Sequence, residues 1–341
     1  MSSIGVGLIG YGLGGKVFHA SFVQDVEGVT LRAVVSRDEP KVTKDLPGMT
    51  VVPSVEDLLL LADIDLVIVS SPDGLHAEHA IAALEAGKHV LVDKPFATCL
   101  ADARRIAQTA ERVGKVVCVF HNRRWDADFL TLRRIIAEGK LGHIVHFESH
   151  FDRWRPQVAD VWKEAREGGS WLDLGPHLVD QALCLFGKPN AVTADIATLR
   201  EGATAPDWFH VILHYKDRRV ILHSSKLAAA NTVRFIVHGT GGSWIKHGLD
   251  TQEPAIVAGA RPGDEALGLD PDAGVYTSAN NPAARQSITN ERGDYRLFWA
   301  ELFGALRGER PNPVPVAQAL AVMEILEAGL RSAAEKATLP V

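Results

Sequence analysis

"GLIGYGLGGKVFHA", Gly7 to Ala20, sets five glycines and no proline where an apolar run gives way to a helical pattern. Glycine gives up backbone entropy and adds no side chain to a core, so such a cluster marks tight turning or the close approach of another group. The spacing Gly10-x-Gly12-x-x-Gly15 follows the apolar run Val6–Ile9 and precedes Val17, Phe18, Phe22, Val23 and Val26, which suit one helix face. In a strand, turn and helix of this kind the first glycine makes the turn. The second, with Leu13 beside it, lets backbone amides reach a pyrophosphate, and the third allows close helix–strand packing. A glycine-rich turn that binds nothing has the same spacing, so context decides.

The chain supplies that context. Apolar strand candidates recur at Leu31–Val35, Leu66–Val69, His89–Val92 and Val116–Phe120, separated by helical patterns such as Ala77–Ala86 and Ala101–Val113. Strands alternating with helices indicate a parallel sheet with right-handed crossovers and a ligand at the carboxyl ends of the strands. Residues 1–122 therefore read as a doubly wound, Rossmann-type dinucleotide-binding domain. From Asp128 the pattern changes: a helix carrying Phe129, Leu132, Ile135 and Ile136 leads to an alternating segment, Ile144–Phe151. Val192–Leu199, Phe209–Tyr215, Arg219–Ser224 and Val233–His238 then follow without intervening helices. Such a series forms an antiparallel or mixed sheet, so residues 123–341 read as an α+β domain with a predominantly antiparallel open sheet, for substrate binding and oligomerisation. Lys246–Asn290, rich in Gly, Pro, Asp and Ala, reads as an irregular excursion, and a helix from Pro315 to Glu335 closes the chain.

Bulk properties narrow the partners. At 341 residues and 46% hydrophobic content the chain can fill two cores, and a net charge of −6 gives no support to nucleic-acid binding. No apolar run approaches a membrane span and no secretory leader pattern stands at the N-terminus, which implies a cytoplasmic protein acting on small molecules. Cys99, Cys118 and Cys184 show no metal-ligand spacing and read as buried hydrophobes.

Two further stretches carry chemistry. Asp93-Lys94-Pro95 follows the strand Val90–Val92, so Lys94 stands at a carboxyl strand end, toward the cofactor crevice. In "GGSWLDLGPHLVDQAL", Asp173 and His177 are four apart and share a helix face. From spacing alone the pair serves equally as acid and base, or as a dipole-stabilising carboxylate beside an incidental histidine.

Together these stretches resemble the glucose-fructose oxidoreductase / inositol dehydrogenase / MocA family: a glycine-rich N-terminal fold, E-K-P or D-K-P after the fifth strand, then a glycine-led D-x-x-x-H helix. "VFHNRRWDADFLT" (Val119–Thr131), "FDRWRPQV" (Phe151–Val158) and "DWFHVIL" (Asp207–Leu213) look most like its NADP-dependent scyllo-inositol dehydrogenases and their bacterial relatives. Asp93 stands where the family more often has glutamate, which keeps the charge. The resemblance implies catalytic roles for Lys94, Asp173 and His177. Alcohol oxidation needs a base for the hydroxyl proton and a cation near the oxygen as hydride leaves for nicotinamide; His177 suits the first and Lys94 the second. Asp173 would orient the substrate, with Arg123 and Arg155 as binders of its oxygens. Arg124, Asp152 and Arg153 are further candidates, and each of the five serves equally as such a binder or in a solvated or structural ion pair.

Ser71, Pro72 and His76 stand at a strand end where the cofactor passes. Cofactor choice turns on the end of the second strand, where an acid would bind the ribose hydroxyls of NAD. Ser36-Arg37 stands there instead and suits the 2′-phosphate of NADP, although an arginine lying over the adenine would discriminate little. NADP is expected, with NAD possible. His146, Glu148 and His150 alternate on one strand face, but no fourth ligand is evident; a sheet face covered in a homo-oligomer explains them better than a metal, and none is assigned. The expected activity is reversible hydride transfer on a cyclic polyol or sugar. The rival classes are a dinucleotide-binding sensor or corepressor and an NAD-assisted glycosidase.

Overall fold

The computed structural model describes residues 3–159, 164, 168–230 and 232–341. They form two compact units. The first comprises Met1–Asn122 with Pro254–Leu267 and Tyr295–Met323; the second comprises Arg123–Glu253, Gly268–Asp294 and Glu324–Val341.

The first unit is built on six parallel strands: β1 (Ile4–Ile9), β2 (Val29–Val35), β3 (Thr50–Val52), β4 (Leu66–Val69), β5 (His89–Val92) and β6 (Val117–Val119). Their order is β3-β2-β1-β4-β5-β6. The direction of winding reverses between β1 and β4, which opens a crevice at the carboxyl ends of those two strands. Leu8, Ile68 and Leu91 have no solvent exposure, as strands covered on both faces require, and this is why they read as continuous apolar runs. β3 escaped the sequence reading because its three residues offer no period to count.

Two later segments complete this unit. Tyr295 lies 6.3 Å, ring centre to ring centre, from both Phe18 and Phe22. Phe298 meets Phe120 edge-on at 4.9 Å, and Asn312 donates from Nδ2 to the Val117 carbonyl at 2.8 Å. Aromatic pairs at these separations add to the area they bury.

The second unit carries a nine-stranded sheet: β7 (Ile144–His150), β8 (Ala191–Ala197), β9 (Trp208–His214), β10 (Arg219–Ser225), β11 (Val233–Gly239), β12 (Gly242–His247), β13 (Gly274–Ser278), β14 (Arg285–Ile288) and β15 (Leu339–Pro340). The order is β14-β13-β12-β11-β7-β10-β9-β8-β15. β7 and β10 run parallel and the other described pairs are antiparallel. One face holds Phe147, Phe209, Val220, Phe235 and Trp244, all fully buried. The helix Gly169–Phe186 packs there, with Trp171 5.0 Å from Phe209. The opposite face is half-buried and mixed, with Trp208, Ile212 and Ile221 among histidines and other polar residues, the alternation of burial expected of an antiparallel sheet with one face toward the core.

Lys246–Asn290 departs from the expected irregular excursion. It contains the end of β12, the helix Gln252–Val257, β13 and β14. β14 is the edge strand, where one neighbour suffices and no hydrophobic alternation is required, and β13, paired between β12 and β14, spans only five residues. No helix among the described residues is long and apolar enough to cross a membrane.

Candidate functional site

In the first unit the glycines of the opening turn divide by their surroundings. Gly10 has φ +95°, and a Cβ there would lie 2.5 Å from the Ser70 carbonyl oxygen. At Gly15 a Cβ would lie 2.1 Å from the Gly10 oxygen, so the protein itself excludes a side chain at both positions. At Gly12 it would meet nothing within 4 Å, and the adjacent Leu13 is 54% exposed. The turn thus offers an open cradle at the start of a helical segment, π-type over Gly15–Ala20 and α over Ser21–Val23. Open backbone at a helix start is what a pyrophosphate needs.

The end of β2 presents Ser36, half-buried, and Arg37, exposed. The nearby acid, Asp38, is committed: its Oδ1 accepts from the Lys41 amide at 3.0 Å and its own amide donates to Ser36 Oγ at 3.1 Å. Asp38 is thereby the cap of the helix Glu39–Asp45, and Arg37 is the exposed charge at the strand end. After β4, Ser71 is half-buried and Pro72 exposed, whereas His76 is 1% exposed. Its ring nitrogens lie 2.8 Å from the Pro95 carbonyl oxygen and 3.0 Å from that of Ser71, so it ties the two strand-end loops together.

Asp93, just beyond β5, anchors the Lys94 segment. It accepts from His19 Nε2 at 2.8 Å and from Ser70 Oγ at 2.6 Å. Burial alone would push its carboxyl up, but the His19 charge and these two hydrogen bonds hold it down at about 2. Asp93 is thus a fixed anion that joins the helix after the glycine turn, the end of β4 and the end of β5. Ser70 stands with Ser71 and Pro72 at the strand end that the sequence marks for the cofactor, but His19 was not singled out; a histidine in the helix after the turn, matched to an acid before Lys94, was the available signal.

In the second unit Asp173 and His177 lie on the helix Gly169–Phe186. Gly168 (φ +70°) and Gly169 (φ +48°) start it, and a Cβ on Gly169 would lie 2.0 Å from the Pro206 oxygen. Pro176 removes one helical hydrogen bond between the two site residues. Asp173 lines a cavity of about 640 Å³ with Phe151, Arg153, Arg155, Ser225 and Lys226. His177 is 6% exposed. Arg123 and Arg153 hold their guanidinium carbons 4.8 and 4.7 Å from the Phe151 ring centre. Burial pushes Arg153 below the usual guanidinium range, opposed by Glu253 and reinforced by Arg123 and Arg155. Arg123 pairs with Asp126 at 3.3 Å and with Glu253, so of the two expected substrate arginines Arg155 is the one on the cavity wall. Arg124 is clamped bidentately to Asp180 at 2.8 and 2.6 Å, a buried structural pair.

Residues 4–121 match the model of an oxidoreductase family's NAD-binding Rossmann fold, and residues 133–341 match that of the same family's C-terminal alpha/beta domain. The chain is 48% identical over 340 residues to YdgJ, an uncharacterised oxidoreductase of Escherichia coli, covering 99% of this chain and 98% of the relative. It is 36% identical over 345 residues to IolW of Bacillus subtilis, a scyllo-inositol 2-dehydrogenase (NADP(+)), covering 99% and 96%. Among solved structures, an oxidoreductase from Bacillus cereus superposes with a TM-score of 0.89 at 31% identity over 99% of each chain.

Proposed function

The chain belongs to the GFO/IDH/MocA oxidoreductase family, whose members are NAD(P)-dependent dehydrogenases, and on that premise we propose that it moves a hydride between NADP(H) and a secondary alcohol or ketone of a cyclic polyol or sugar. The observation that carries the reading is the open space over Gly12, between two glycines whose own space the protein fills. The phosphates are held by the turn Gly10, Gly12, Leu13 and Gly15, and Ser36 and Arg37 take the 2′-phosphate. Ser71, Pro72, His76 and Lys94 serve the remainder of the dinucleotide. The likeness to IolW supports both the NADP preference and an inositol-like substrate.

A bound nicotinamide supplies the carbon that accepts or returns hydride. The rest falls to this chain. His177 takes the hydroxyl proton in oxidation and returns it in reduction. Lys94 sets a positive charge beside the oxygen, where negative charge develops. Asp173, one turn before His177 and on the cavity wall, orients the substrate hydroxyls, with Arg155 on the same wall binding its other oxygens. The half-buried face of the nine-stranded sheet, with Val145 and Ile245 exposed on the unit's surface, supports assembly into a homo-oligomer.

The test is a screen of the purified protein against inositols, inososes and aldoses with both nicotinamide cofactors. A net change in NADPH absorbance with a free polyol or ketone is expected. Dinucleotide binding with no turnover would place the chain with the sensors, and glycoside cleavage without net cofactor change would place it with the glycosidases; either overturns the reading.

A further inference from the structure

Away from these residues, the outer face of the nine-stranded sheet carries ligand-type side chains in register. Asp195 on β8 pairs with His210 on β9, His210 with His223 on β10, and His223 with His150 on β7. Asp152 follows two residues after His150. One donor atom each from His150, Asp152 and His223 lies within 4.8 Å of the others. Asp152 Oδ2 is 3.5 Å from His150 Nδ1, and Asp152 Oδ1 is 3.6 Å from His223 Nε2. These separations run to different oxygens of Asp152 and are long for hydrogen bonds; with one oxygen as donor the three atoms lie within 4.8 Å of one another, so the side chains draw together to reach the edge of about 3.4 Å on a tetrahedral ion with bonds of about 2.0–2.1 Å.

The surroundings have the arrangement a bound cation needs. His150 uses its far nitrogen, Nε2, to donate to Glu148 Oε2 at 2.9 Å, which leaves Nδ1 toward Asp152. A carboxylate behind a histidine in this way fixes the ring and strengthens it as a ligand. Asp152 is itself held by the Ser225 amide, which donates to Oδ1 at 2.7 Å.

We propose that His150, Asp152 and His223 form a zinc-binding site on the outer face of the sheet. Two nitrogens and one carboxylate oxygen suit this ion. The fourth position falls to water or to His210, whose ring centre is 5.6 Å from that of His223. The ion has no part in hydride transfer. It cross-links β7 and β10, a parallel pair of the kind that gains slightly less per residue from its ladder than an antiparallel one. The sequence hides the site because His223 is supplied by a strand more than seventy positions away.

Untagged protein is stripped with a chelator, then titrated with zinc against a chromophoric competitor, and bound metal is counted by emission spectroscopy. Because an assembly would cover this face, protein from zinc-supplemented cultures is counted as well. The expected result is one zinc per chain at micromolar affinity or tighter, weakened at least tenfold in His223→Ala and in Asp152→Asn. The asparagine keeps the oxygen that meets the Ser225 amide, so this variant tests binding even if His223→Ala fails to fold. His214→Ala, outside the cluster, keeps the affinity. The absence of stoichiometric zinc, or affinity equal to the parent's in Asp152→Asn, overturns the site.

Discussion

The glycines of the turn Gly10–Gly15 and the pair Gly168–Gly169 stand at two helix starts, one in each unit, and a Cβ would crowd protein atoms within 3.2 Å at Gly10, Gly14, Gly15, Gly168 and Gly169. Gly12 alone of the six faces open space. At Gly169 the backbone is pressed against the Pro206 carbonyl, and at Gly168 against the Leu172 side chain, at the start of a helix that carries Asp173 and His177. At Gly10–Gly15 the protein uses the outer glycines for itself and leaves the middle one for something else. The difference separates glycine needed for packing from glycine needed for a ligand, a distinction that spacing alone does not draw.

If the second helix start serves chemistry and the first serves binding, substitutions should divide accordingly. The largest effect is expected from His177→Ala and Lys94→Ala, each lowering turnover by about a hundred to ten thousandfold; in His177→Ala the dinucleotide Kd, followed by nucleotide fluorescence, changes little. Near-normal turnover in His177→Ala would assign the base elsewhere. The glycines come next. Gly15→Ala should cost about 3 kcal/mol or more in denaturant unfolding, because its new methyl meets backbone rather than a flexible side chain. Gly12→Ala should leave stability within about 0.5 kcal/mol and weaken the dinucleotide by about tenfold or more. Equal behaviour of the two variants would dissolve the comparison.

A smaller effect should mark Arg37. Losing a charge-assisted phosphate contact costs about 1.5–3 kcal/mol, so Arg37→Ala should bind NADP roughly ten to a hundredfold less tightly and NAD nearly as before. Equal loss for both cofactors would remove the 2′-phosphate from its role. The smallest effect should come from Asp93. With the folded carboxyl at about 2 against an unfolded value of 3.8, its ion pair and hydrogen bonds contribute about 2 kcal/mol above pH 4. That contribution fades as pH falls through 2. Asp93→Asn should therefore be less stable than the parent at neutral pH, and the gap should close on acidification; a gap constant down to pH 2 would show that the charge is not what Asp93 contributes.

What could be read in the sequence was whatever lies close along the chain. β1, β4 and β5 announce themselves because burial on both faces demands unbroken apolar runs, and β7 to β11 do so by alternation. The glycine spacing, Asp93-Lys94-Pro95 and the Asp173/His177 interval are local patterns with one structural solution each. β3 and β14 were invisible for the opposite reason: short edge strands need no pattern, and β13 beside β14 is too short to show one. The His19–Asp93 contact and the His150–Asp152–His223 cluster were hidden because strand order, not chain order, makes them neighbours. The same holds for the aromatic cover over Phe18 and Phe120, whose partners belong to residues 295–303.

That late cover bears on synthesis. A ribosome adding about 5–20 residues per second releases the first 122 residues roughly 10–30 seconds before Tyr295, Phe298 and Trp299 exist. For that interval the nascent parallel sheet holds Phe18, Phe22 and Phe120 without the rings that later close over them. The first unit therefore completes its aromatic core only after most of the second has been made, so its folding is finished late although its sheet is made first.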